Sequence, residues 1–133
     1  CSKICPHFSL TYGTGNATGR LLSDTLTLPL EDGGRREIKN FAFGCSVLSS
    51  QVAGIAGFGN GGLSMPSQLA PLIGDKFAYC LDYRSNSSKI VLGNKAVPRD
   101  LPLTYTPLLF NPVNPSVFSY FYLALEAVSI GGK

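Results

Sequence analysis

Four cysteines, one histidine and a tyrosine followed by glycines are the residues of this sequence best equipped for chemistry. The cysteines stand at 1, 5, 45 and 80, an even number that permits two disulfide bridges. Zinc is the rival use of such thiols. The sole histidine, His7, has no pair of CxxC motifs around it, so neither a metal nor any other cofactor is expected. Two sequons, Asn16-Ala17-Thr18 and Asn86-Ser87-Ser88, are acceptors for N-linked glycans. Together with the cysteines they point to an oxidising compartment reached by secretion. Three glycines crowd the six positions Gly54-Ile55-Ala56-Gly57-Phe58-Gly59. Glycines so dense mark backbone lying close to other backbone, or an unusual dihedral.

These groups have to be held by a short chain. Its 133 residues suit one domain or a piece of a larger one. The charged fraction is only 14% against 44% hydrophobic, which favours a packed core over long disordered stretches. The net charge of +3 is weak, and Arg35, Arg36, Lys39 and Arg99 sit beside turn residues. Nucleic-acid binding would require a denser basic face with interleaved aromatics, and is rejected. No apolar run approaches the length of a membrane helix, so no membrane partner is expected. The start at Cys1-Ser2-Lys3-Ile4-Cys5 carries no signal peptide and suggests a mature or cut product.

Gly, Pro, Asn and Ser punctuate short runs rich in β-branched and aromatic residues. Phe8-Ser9-Leu10-Thr11-Tyr12 alternates and then meets Gly13-Thr14-Gly15-Asn16, which predicts a hairpin with a turn of more than two residues. Leu21 to Leu30 reads as the return and next strand, Glu31 to Arg36 as a polar turn, and Ile38 to Val47 as another strand. Ser64-Met65-Pro66-Ser67-Gln68-Leu69 opens a short helix, with Ser64 as its cap and an end near Ile73-Gly74. Further strands are expected at 76–81, 89–92, 103–109 and 120–130, with a loop at 110–119. The composite is mainly β, with one or two short helices.

The order of motifs along essentially the whole chain resembles pepsin-like aspartic proteases. Tyr12-Gly13-Thr14-Gly15, then Thr18-Gly19 and Ser23-Asp24-Thr25-Leu26, resembles the flap hairpin and its return strand. Phe43-Gly44-Cys45, Gly54 to Gly59, Phe77 to Leu81 and Ile90 to Gly93 resemble, in order, later strands of the same lobe. Tyr122 to Gly132 is similar to the strand leading into the second lobe. Phe-Gly-Cys at 43–45, Tyr-Cys-Leu at 79–81 and Leu63 to Leu69 favour the plant branch that includes the nepenthesins. The resemblance implies an incomplete N-terminal lobe, double-psi barrel-like, over residues 1–119, with the interlobe strand and start of the C-terminal lobe at 120–133.

Such enzymes hydrolyse peptide bonds with two aspartates that share one proton around a water. Mutual repulsion splits the two pKa values, so that one carboxyl acts as base while the other stays protonated. Each lobe supplies its aspartate in an Asp-Thr-Gly or Asp-Ser-Gly turn. The aspartates here are Asp24, Asp32, Asp75, Asp82 and Asp100, and none precedes Thr-Gly or Ser-Gly. No catalytic residue is therefore expected within the chain, and the remaining segments of the same protease become obligatory partners. The resemblance places Tyr12 at the base of the flap over bound substrate. Gly13, Thr14 and Gly15 would offer backbone groups to an extended peptide or protein substrate, and Ile55 would help line the pocket beside the scissile bond.

The resemblance also makes the strands bearing Cys45 and Cys80 neighbours, which suggests that these two pair; Cys1 and Cys5 would pair together or with cysteines upstream. A loop of the 45–80 length would stabilise by roughly 3–4 kcal/mol in the chain-entropy treatment. A glycan on Asn16, at the flap tip, is expected to crowd the cleft mouth, whereas one on Asn86 would sit on an exposed turn. The implied location is secreted, cell-wall or vacuolar. Two other readings compete: a fragment of a non-proteolytic relative, similar to xylanase inhibitors or seed globulins, and a small β domain that binds peptides or sugars.

Overall fold

The computed structural model describes residues 6–13, 15–84, 87–109 and 120–131. The chain divides into two compact units, Cys1–Gly57 and Phe58–Lys133. The first is one antiparallel sheet of three strands in the order β1 (His7–Tyr12), β2 (Gly15–Pro29), β3 (Arg35–Ser49). The sequence suggested a return strand followed by a second strand. They are one continuous 15-residue strand, whose first part pairs with β1 while nearly all of it pairs with β3.

Two irregularities let so long a ladder twist. Thr18 pairs with Leu48 and Gly19 with Ser46, so Val47 bulges out of β3. The Ser46 hydroxyl lies 3.2 Å from the Thr18 carbonyl and 2.8 Å from that of Leu48, donating across the bulge. The second irregularity lies between Asp24 and Leu26, where Asn40 on β3 adopts φ 59°. Asparagine is among the few side chains that take this conformation readily. Opposite it, the Asp24 carboxylate accepts from the Thr25 N–H at 2.7 Å. The β2–β3 connection closes with the Leu30 N–H donating to the Gly34 carbonyl at 2.9 Å, and the Gly34 N–H to Asp32 Oδ1 at 2.9 Å.

The second unit gathers around a nine-residue helix, α1 (Met65–Ile73). Its start and end fall where the sequence marks them. Ser64 is extended and its hydroxyl accepts from the Ser67 N–H at 3.3 Å; Gly74, at φ 59°, donates its N–H to the Ala70 carbonyl at 2.8 Å. Among the described residues Leu69, only 1% exposed, Ile73 and Pro66 are the buried apolar side chains of this helix. Strands β4 (Phe77–Cys80) and β5 (Lys89–Leu92) form a two-stranded antiparallel sheet that runs into a 3₁₀ turn, Gly93–Ala96. Phe77 stacks edge-on with Phe58 at 5.3 Å and tilts toward Phe121 at 6.4 Å.

Three expected strands do not form as ladders among the described residues. Residues 54–59 and 103–108 are irregular, and 120–130 contributes a single bridge, Leu109 to Tyr122. A strand exists only through its hydrogen-bonded neighbour, and these segments find almost none. The residue 119/120 boundary falls beside 110–119, outside the described residues. Apolar side chains are correspondingly bare: Val47, Leu48, Ile55, Leu81, Leu125 and Ile130 are each at least 60% exposed.

Exposed apolar surface on this scale predicts that the isolated 133-residue chain self-associates and binds a hydrophobic dye. Sedimentation and calorimetry check this, and a monomeric, cooperative melt would contradict it. In the full-length parent, Leu69→Ala should cost about 2–5 kcal/mol. Ser64→Ala should cost about 1 kcal/mol. Urea melts of the two variants test that order.

Candidate functional site

The β1–β2 hairpin is where the sequence placed a substrate flap. Tyr12 pairs with Gly15, which leaves a connection of two residues, shorter than the sequence suggested. Thr14 itself lies outside the described residues. Gly13 takes φ 53°, as the first central position of a primed hairpin turn demands, and glycine does so without steric cost. The turn is tight because Gly15 is free to serve as the first residue of β2 rather than as part of the loop.

Residues directly opposite across an antiparallel ladder share a face. One face of this hairpin therefore sets Phe8, Leu10 and Tyr12 of β1 against Gly19, Ala17 and Gly15 of β2. Large side chains on one strand meet almost none on the other, and the two aromatic rings fill that space. A methyl on Gly15 would lie 3.2 Å from Tyr12 Cε2 and 2.5 Å from Gln51 Nε2. A methyl on Gly44, one strand further across, would lie 2.8 Å from the Phe8 ring. Phe8 thus reaches over Gly19 to β3. Gly19 is itself constrained, because any Cβ there would run into the Cys45 carbonyl beside the bulge. Both Gly15 and Gly19 are buried, and Tyr12 is half-buried.

Gln51 was not singled out in the sequence, yet its amide reaches the same face beside Tyr12. The Ser49 hydroxyl holds it, accepting from the Gln51 N–H at 3.0 Å. The polar run Ser49-Ser50-Gln51 after an apolar strand was the only available signal. Ser50 in turn locks the hairpin's second strand. Its N–H donates to the Asn16 carbonyl at 3.0 Å, and its hydroxyl oxygen lies 2.9 Å from the Asn16 N–H that donates to it.

The other candidate residues are scattered. Ile55 is 60% exposed in the irregular stretch after β3. Cys45 on β3 and Cys80 on β4 are exposed free thiols in this structure and belong to different units. Cys1, Cys5 and Asn86 lie outside the described residues. One surface hollow, of about 270 Å³, is lined by Asp24, Thr25, Leu26, Phe41 and Phe43. It lies nine residues along β2 from the hairpin turn, roughly 30 Å at strand rise. Another, of about 620 Å³, belongs to the second unit and includes Pro66, Asp75, Phe77 and Phe121. Neither is lined by Tyr12, Gly13, Gly15 or Ile55. Among the described residues no group of His, Cys, Asp and Glu could hold a metal, and no helix is long and apolar enough to cross a membrane.

Known proteins are similar to this chain along most of its length. The family model described as xylanase inhibitor N-terminal matches residues 1–94. Aspartyl protease family protein 2 of Arabidopsis thaliana is 38% identical over 94% of this chain and 25% of its own length. Aspartic proteinase nepenthesin-2 of Nepenthes gracilis is 34% identical over 99% of this chain and 30% of its own. Aspartyl protease 37 of Oryza sativa subsp. japonica is 35% identical over 95% and 27%. The chain thus spans less than a third of the length of these relatives. No solved structure gives a significant match. Hairpin, helix and strand order agree with that kinship: the chain belongs to the xylanase inhibitor N-terminal family, with nepenthesin-like plant aspartic proteases among its relatives, and forms an incomplete N-terminal lobe of the pepsin-like fold.

Proposed function

We propose that the chain is the flap-bearing portion of a secreted aspartic endopeptidase whose two catalytic aspartates lie in polypeptide outside this sequence. In this reading residues 1–119 belong to the N-terminal lobe and 120–133 lead into the second lobe. The observation that carries it is the hairpin tip: a two-residue turn at Gly13, with Tyr12 seated against Gly15 on the same face as Gln51. That arrangement supplies what a flap over an extended peptide needs. Tyr12 offers a large, nearly rigid ring and a hydroxyl, and Gly13, exposed at the turn, presents its backbone for strand-like pairing, whereas Gly15 is buried and already paired with Tyr12. β1 lies at the edge of its sheet, bonded to β2 alone among the described strands. Asp24 is not a candidate for the dyad, because Leu26 stands where the Asp-Thr-Gly turn has its glycine and the residue lies within β2.

Ile55 would line the pocket beside the scissile bond once the rest of the lobe folds around it. Its exposure supports a role completed by other polypeptide. Membership of the xylanase inhibitor N-terminal family supports a second reading, in which the parent binds a xylanase and cleaves nothing. Hydrolysis separates the two. The full-length parent should cleave peptides at acid pH and lose that activity with pepstatin; failure to do so, with inhibition of a xylanase, would establish the alternative.

Within the protease, Tyr12→Ala should lower kcat/KM by about one to two orders of magnitude, or about 1.4–2.7 kcal/mol of transition-state stabilisation. An unaltered value would remove Tyr12 from the site. We also assign Cys45 and Cys80 to one bridge in the secreted parent. Peptide maps run with and without reductant should differ at these two positions, and identical maps would refute the pairing.

A further inference from the structure

Asn16 is the first residue of a glycosylation sequon, and the register of the hairpin decides which way its side chain leaves the sheet. Asn16 pairs with Thr11, whereas Tyr12 pairs with Gly15. Adjacent positions on a strand project to opposite faces. Tyr12 and Gln51 therefore share the Gly15 face, and Asn16 projects from the other. The sequence alone suggested that a glycan here would crowd the cleft; strand parity argues for the reverse.

From this geometry we infer that Asn16 carries an N-linked glycan on the outer face of the hairpin, away from Tyr12. The backbone of Asn16 is fixed by its bonds with Ser50, through both N–H and carbonyl, while the residue remains exposed. Its neighbours on that face are small or uncrowded. Thr11 is exposed, Thr18 is half-buried, and Leu48, opposite Thr18, is 71% exposed. The inner sugars have room there, and their apolar faces cover Leu48. Attachment forms a bond between Asn16 Nδ2 and the anomeric carbon of an oligosaccharide carried on a lipid diphosphate. The carbon–oxygen bond to the diphosphate breaks, the lipid diphosphate leaves with that electron pair, and one amide proton passes to the transferase base.

The inference rests on the secretory part of the proposed function but not on proteolysis. Its test uses the full-length parent purified from plant culture medium. Peptide N-glycosidase converts an occupied asparagine to aspartate, which peptide mass mapping reads at position 16. Conversion at Asn16 is expected; an unmodified Asn16 overturns the inference. Acylation of Tyr12 by N-acetylimidazole, followed before and after glycan removal, reads the face. An unchanged rate is expected, and a several-fold acceleration on deglycosylation would place the glycan on Tyr12's side and overturn the assignment. A parent that is glycosylated at Asn16 yet cleaves no peptide would refute the protease reading and leave this one standing.

Discussion

Phe8 and Tyr12 face glycine across the β1–β2 ladder, and the shape of the first unit depends on that pairing. A cross-strand pair normally stabilises a sheet through contact between two side chains. Here one partner has none, so each ring lies down over the neighbouring backbone. Phe8 spans β2 to reach Gly44, and Tyr12 is pinned beside Gln51. The same absence of a Cβ lets β3 approach Gly19 at the Val47 bulge. Turn, aromatic placement and bulge are therefore one steric arrangement.

The two units differ in how far they are self-sufficient. Around α1 the chain builds a small core from Leu69, Ile73 and Pro66, closed by aromatic contacts to Phe77. The sheet of the first unit buries little beyond two glycines on its described residues. Backbone hydrogen bonds hold its register, but three strands without a covered face are marginal in water. Such a sheet draws its stability from whatever packs on it. The relatives, more than three times as long, have polypeptide to spare for that purpose.

What could be read from the sequence divides along the same line. The helix was legible at both ends because its signals are local: a Ser64 hydroxyl within reach of Ser67, and Gly74 able to take a positive φ. The hairpin was legible in place but not in turn length, since only the ladder reveals that Gly15 belongs to the strand. Strands at 103–109 and 120–130 carried good propensity, yet propensity supplies no partner. Gln51 was invisible because its importance comes from a neighbour 36 positions earlier, Gly15, that sequence spacing does not connect to it. The direction of Asn16 became readable only once the register was known.

The glycine run on β2 also bears on how this hairpin can drift over generations. At Gly19 even one added carbon collides with a rigid carbonyl, so the position is closed to every other amino acid unless β3 moves. At Gly15 the obstacles are side chains: the Gln51 amide, the far end of a flexible chain that can swing aside, and the Tyr12 ring edge, which would have to give by a few tenths of an ångström. Variation at the tip is thus coupled: a change at 15 displaces the side chains at 51 and 12, while 19 stays glycine as long as β3 keeps its place.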